Sequence, residues 1–268
     1  MHRILYTLLA FTAALIPAAS MAQSQSSPTE VNRHQARDGV IRLYGACGPQ
    51  KALRKVADTW ERINDLSVTI TCGPEPSWSR KAQDDADIIW GTSEQSMTAF
   101  LQSFPSFPSK DVVPIYLRPA IIAVKTGNPR HIQRFEDLLQ PGIRIVVTEG
   151  SGIANTSGTG TWEDIAGRLG NLEDVKRFRR NIVAFSTGSG ASFKAFKELD
   201  ADAWITWPEW VFDNPKVLQA IPISSNRSIW RDLNIALSSS ADPQASSFIQ
   251  FLISDEAQKL MGRAGYVR

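Results

Sequence analysis

Beyond residue 38 the apolar positions either alternate with a period of two or recur with a period near 3.6, and the two patterns take turns along the chain. GVIRLYG (39–45) is a short β-rich run ending in glycine. Pro49 then opens a helix in which Leu53, Val56, Ala57 and Trp60 share one face. Leu66, Val68 and Ile70 alternate as a second strand, broken by GPEP. DADIIWG (85–91) makes a third, followed by a helix with Met97, Phe100 and Leu101 on one side. This βαβαβα order predicts a parallel sheet with helices on both faces, because crossovers between parallel strands are right-handed.

The order then restarts. PAIIAVKTGNP is a strongly apolar strand, Phe135, Leu138 and Leu139 mark a short helix, and GIRIVVTEG (142–150) is a strand running into a long Gly/Ser/Thr loop. Helices are expected around Trp162, Ile165 and Ala166 and around Val175 and Phe178. NIVAFSTGSG and DADAWITW follow as strands, and a helix beginning near Ala191 uses Phe193 and Phe196. SIWRDLNIAL reads as a further strand and SSFIQFLISDEAQKLM as amphipathic helices. Two α/β lobes are expected: 118–226 forms the second, and 227–268 returns to join 39–117 in the first.

Residues 1–22 read differently. A short basic start, an apolar stretch from Ile4 to Ala19 and the small residues Ser20-Met21-Ala22 form an export signal, with cleavage expected before Gln23. The stretch is short for a membrane span, and Pro17 with its small neighbours reads better as a cleavage region than as an uncleaved anchor. No cysteine follows it directly, which argues against a lipid anchor. Residues 23–38 are a polar linker. About 246 residues remain after cleavage, enough for one large domain or two small ones.

Charge excludes one class of partner. The formal net charge is +2, and no Lys/Arg-rich block suggests a nucleic-acid face. The 8 tryptophans are many for this length. Trp162, Trp204, Trp207, Trp210 and Trp230 suit either stacking on an organic ligand or core and hinge packing. Cys47 and Cys72 stand at the ends of predicted strands. In an oxidising compartment they form a disulfide closing a loop of about 25 residues, or else a thiol pair for a soft metal, although two sulfurs underfill most metal sites.

Candidate chemistry concentrates where strand ends meet helix starts, which is where open α/β sheets bind ligands. These loops are Ala46-Cys47-Gly48, Gly73-Pro74, Thr92-Ser93, 151–161 with Ser157, Gly158 and Thr159, and 187–192 with Ser189. Main-chain N–H groups and hydroxyls there suit an anionic oxygen cluster, while the same residues are also ordinary caps and turn formers. Arg118, beside the crossover, and Arg231, on the returning strand, offer forks of donors to a carboxylate or sulfonate. NTSGTGTW lacks the G-K-[ST] ending of a phosphate loop, there is no G-x-S-x-G, and His131 is the one histidine of the body, read as a solvent-facing helix residue. A secreted hydrolase is therefore disfavoured.

The stretches LYGACGPQKAL, DADIIWGTSEQS, YLRPAIIAVKTGNP, PGIRIVVTEGSGIANTSGTGTWEDIAGR, DADAWITW, WRDLNIAL and FLISDEAQKL resemble the type II periplasmic solute-binding proteins of the molybdate/sulfate kind. Within them the resemblance is nearest to the accessory colonization factor family, and it spans essentially all of the chain after the linker. It implies a two-lobed α/β fold with a double crossover and a ligand cleft, a periplasmic location and no reaction. It implies an oxyanion or small organic anion met by Ala46-Cys47-Gly48, Thr92-Ser93 and Ser157-Gly158-Thr159. Delivery would be to an ABC-type permease or, alternatively, to a chemoreceptor or sensor kinase. A cysteine at position 47 departs from the family pattern. A monomer without cofactor or resident metal is expected.

Overall fold

The computed structural model describes residues 38–150 and 156–268. The export signal, most of the linker and the loop positions 151–155 lie outside the described residues. In chain order the elements are β1 (Val40–Gly45), α1 (Gln50–Asn64), β2 (Ser67–Cys72), α2 (Ser79–Asp85), β3 (Ile88–Gly91), α3 (Glu94–Ser103), β4 (Val113–Pro119), β5 (Ile121–Lys125), β6 (Ile145–Glu149), α4 (Thr161–Ala166) and α5 (Leu172–Asn181). They continue with β7 (Ile182–Thr187), α6 (Ser189–Glu198), β8 (Ala203–Thr206), α7 (Pro208–Asp213), β9 (Leu218–Pro222), β10 (Trp230–Leu237), α8 (Pro243–Leu252) and α9 (Asp255–Gly262).

The strands form two five-stranded sheets, one in the order β2-β1-β3-β10-β4 and the other β7-β6-β8-β5-β9. Each is buried on both faces, and strand alternation divides the side chains between them. Leu43, Ile88 and Trp90 pack under α1, α8 and α9 with Leu53, Val56, Phe248 and Met261, while Tyr44 and Ile89 face Trp78, Met97, Phe100 and Phe104. In the second lobe Ile122, Val124, Ile145 and Val147 meet Phe135, Trp162 and Phe178. Ile121, Ala123 and Val146 meet Phe196 and Trp204 on the other face.

The sheets are mixed, which corrects the expectation of parallel ones. In each, four strands run the same way and one runs against them: β1, β2, β3 and β4 share a direction in the first sheet, and β6, β7, β8 and β9 in the second. β10 runs against β3 and β4, and β5 runs against β8 and β9. The reason is the double crossing. The chain passes between lobes at Ala120 and again over 223–229, so the strand following each crossing starts at the lobe junction, where the parallel strands end. The two crossings lie side by side, with the Ala120 N–H donating to the Ile229 carbonyl at 2.8 Å. His131 is exposed, but it sits in a turn at φ 53° and not in a helix, because the Asn128 side chain closes that turn on Ile132.

Candidate functional site

The ends of β1, β3, β4, β6 and β8 converge at the junction, and Arg118 at the end of β4 lies at the point of convergence. The residue is 1 % exposed. Nη2 donates to the Thr92 carbonyl of its own lobe at 3.1 Å and to the Ser157 hydroxyl of the other lobe at 2.9 Å. Nη1 pairs with the carboxylate of Glu209, a residue 2 % exposed in the first turn of α7. The cation lies 4.5 Å from the centre of the Trp207 ring and 5.9 Å from that of Tyr266. Burial pulls the Arg118 guanidinium down from its ordinary value, while Tyr266 and Asp232 act in the opposite direction.

Local sequence explains how these groups are presented. Pro208 starts α7 directly after β8, which puts Glu209 in the first turn at the strand's carboxyl end. Gly48 leaves room for Glu209: a Cβ there would lie 2.7 Å from Oε1 and 3.4 Å from Arg118 Nη1. Gly265, at φ 87°, lets the C-terminal turn come down on α7, since a Cβ there would meet the Pro208 ring at 2.4 Å. Two ion pairs flank the junction, Lys51 with Asp213 at 3.5 Å and Arg231 with Asp164 at 2.8 Å, each joining one lobe to the other.

Of the residues singled out from sequence, the structure brings Gly48, Thr92, Ser157 and Arg118 together. Ser93 is buried, but its hydroxyl accepts from the Ser96 N–H at 3.2 Å as the N-cap of α3, an element-stabilising role. The Thr159 hydroxyl accepts from the Thr156 N–H at 3.0 Å and closes its own turn. Gly158 lies against lobe-two packing, where a Cβ would come 2.7 Å from Thr148 Cβ. Ser189 starts α6 and is half-buried. The Ala46 carbonyl accepts from the Trp90 indole at 2.8 Å. Cys47 and Cys72 form a disulfide that ties this first loop to the end of β2, with the Cα atoms 4.8 Å apart.

Glu209 is not among the residues that the sequence pattern marks. Its signal is an acid one residue after the proline that follows a strand, in the same kind of position as the hydroxyl loops. The tryptophans divide as well. Trp162, Trp204 and Trp207 are buried, Trp210 is half-buried and Trp230 is 46 % exposed, so Trp207 alone of the five lies against the Arg118 cation.

Two mixed α/β lobes, a paired crossing and donors gathered between them define a two-lobed solute-binding protein, a class that binds and does not catalyse. The chain belongs to the bacterial extracellular solute-binding protein family, whose model matches residues 41–267. It is similar to PEB3 of Campylobacter jejuni, at 38% identity over 85% of this chain and 99% of that one, with a TM-score of 0.80. A structure of PEB3 bound to L-phospholactate matches at the same identity and coverage with a TM-score of 0.82. The sulfate-binding protein SubI of Mycobacterium tuberculosis shares the fold at 18% identity, with a TM-score of 0.68 over 85% of this chain and 86% of that one. No curated protein sequence matches the chain.

Proposed function

We propose that the protein captures a small organic anion bearing a carboxylate or phosphate group between its lobes, in the periplasm, and hands it to a membrane permease. The observation that carries this reading is the buried Arg118, which reaches both lobes through one nitrogen and presents a planar fork suited to such oxygens. An inorganic oxyanion can be held by N–H groups and hydroxyls alone. L-phospholactate, the ligand bound in the PEB3 structure, combines a carboxylate with a phosphate, which supports an organic anion over sulfate or molybdate. Export through cleavage before Gln23 belongs to the same proposal.

A thermal-shift screen of the mature protein against L-phospholactate, small dicarboxylates, phosphonates, sulfate and molybdate tests it, followed by calorimetry. At least one organic anion should raise the melting temperature. Arg118→Lys, which keeps the charge and loses the fork, should weaken that binding by roughly tenfold or more. Stabilisation by sulfate or molybdate alone, or wild-type affinity in Arg118→Lys, would overturn the reading.

A further inference from the structure

The position of Glu209 is unusual for a group that merely supports an arginine. Arg118 belongs to β4 in the first sheet and Glu209 to α7 beyond β8 in the second, so their ion pair exists when the lobes are together. A carboxylate on the opposite lobe cannot hold Arg118 in place for an open cleft, as a partner on the same lobe would.

The carboxylate also lies where an anion is best received. It touches Arg118 on one side. On the other it lies against Gly48, two residues before the fifteen-residue helix α1, whose N-terminal end favours negative charge. The pair is incompletely satisfied: Glu209 Oε2 and Arg118 Nε are buried with no hydrogen-bond partner among the described residues. An ion pair out of water needs such bonds to offset its desolvation, so a ligand anion that supplies them can replace this pair, whereas simply breaking it would leave a buried charge uncompensated. A ligand carboxylate or phosphate gripping the fork through two oxygens would use the guanidinium more fully, and it could not share the place with a second carboxylate without strong like-charge repulsion.

We propose that Glu209 is a resident occupant of the anion position: its carboxylate holds the lobes together when no ligand is bound, and the anionic group of the ligand displaces it. The displacement half rests on the anion-binding reading above, whereas the holding half does not. Glu209 thereby sets the affinity, because ligand competes with an intramolecular group and binds only the fraction of molecules in which that group has let go.

Glu209→Gln keeps the shape and removes the charge. Two measurements on the mature protein decide the matter, with circular dichroism to confirm folding. Small-angle scattering without ligand should give a larger radius of gyration for the variant than for the wild type. Calorimetry with L-phospholactate should give a Kd at least about five-fold lower for the variant. Gly48→Ala, whose new methyl would press on the Glu209 carboxylate, should likewise expand the ligand-free protein, and it serves if Glu209→Gln does not fold. An unchanged ligand-free radius in the folded variants overturns the holding role. Weaker or equal phospholactate binding by Glu209→Gln overturns the displacement. A wild type that binds none of the screened anions sinks the anion reading and its displacement half, and leaves the scattering comparison to judge the holding role by itself.

Discussion

At the level of single residues, what matters most is burial of groups that prefer water. Tyr44, Tyr116 and Tyr266 are each about 1 to 2 % exposed. Burial pushes Tyr116 and Tyr266 up to about 12, with Arg268 and Arg118 respectively pulling the other way, and burial and then Asp85 raise Tyr44 as well. A raised value means that the folded state holds the phenolic proton more tightly than the unfolded chain does. The associated stability is intact below the unfolded value of about 10 and is lost as pH rises toward 12. Alkaline titration of the mature protein should therefore show almost no phenolate absorbance near pH 10, with absorbance and unfolding appearing together above it. A phenolate band half developed near pH 10 in folded protein would contradict this. Arg118 was legible as a candidate because an arginine beside a crossover is conspicuous. Glu209 was not, since an acid in a helix's first turn is ordinary.

Among the elements, the strongest periodic signals marked real helices and strands. In α1 Leu53, Val56, Ala57 and Trp60 are all buried, and β1, β3, β5 and β6 match the apolar runs. The elements that went unmarked have little pattern to read. α2 buries only Ala82, β4 sits at a sheet edge with Val113 and Leu117 about half exposed, and α7 and β9 are short segments bounded or interrupted by prolines. The disulfide joins the β1–α1 loop to the end of β2 across a separation of 25 residues. Closing a loop of that length restricts the unfolded chain by roughly 3 to 4 kcal/mol on the chain-entropy account. Cys47 is exposed, so a reductant can reach the bond. Urea denaturation with and without reductant should show a loss of about 3 kcal/mol on reduction. Coincident curves, with thiol labelling proving the bond broken, would argue that the loop is held by packing instead.

For the molecule as a whole, the question is what keeps two lobes together. The flanking pairs Lys51–Asp213 and Arg231–Asp164 are partly exposed, with side-chain exposures of 63 % and 27 % in the first and 22 % and 50 % in the second. Pairs of that kind contribute less than about 1 kcal/mol each and fade with salt. Converting Asp164 or Asp213 singly to asparagine should therefore weaken ligand binding by less than about fivefold, and less at high salt, with calorimetry at two ionic strengths as the check. A loss as large as that of Arg118→Lys would move the weight of closure from the buried centre to the rim. Sequence by itself determined the periodic elements, the two α/β units and the gathering of small polar residues at strand ends, because period, capping and turn chemistry act over a few neighbouring residues. Only the tertiary structure decided that β5 and β10 run against their neighbours, that Ser93 and Thr159 spend their hydroxyls locally, and that Arg118 meets Glu209 across the lobes. Those outcomes depend on where the double crossing sets each strand's start, a long-range constraint that no local pattern carries.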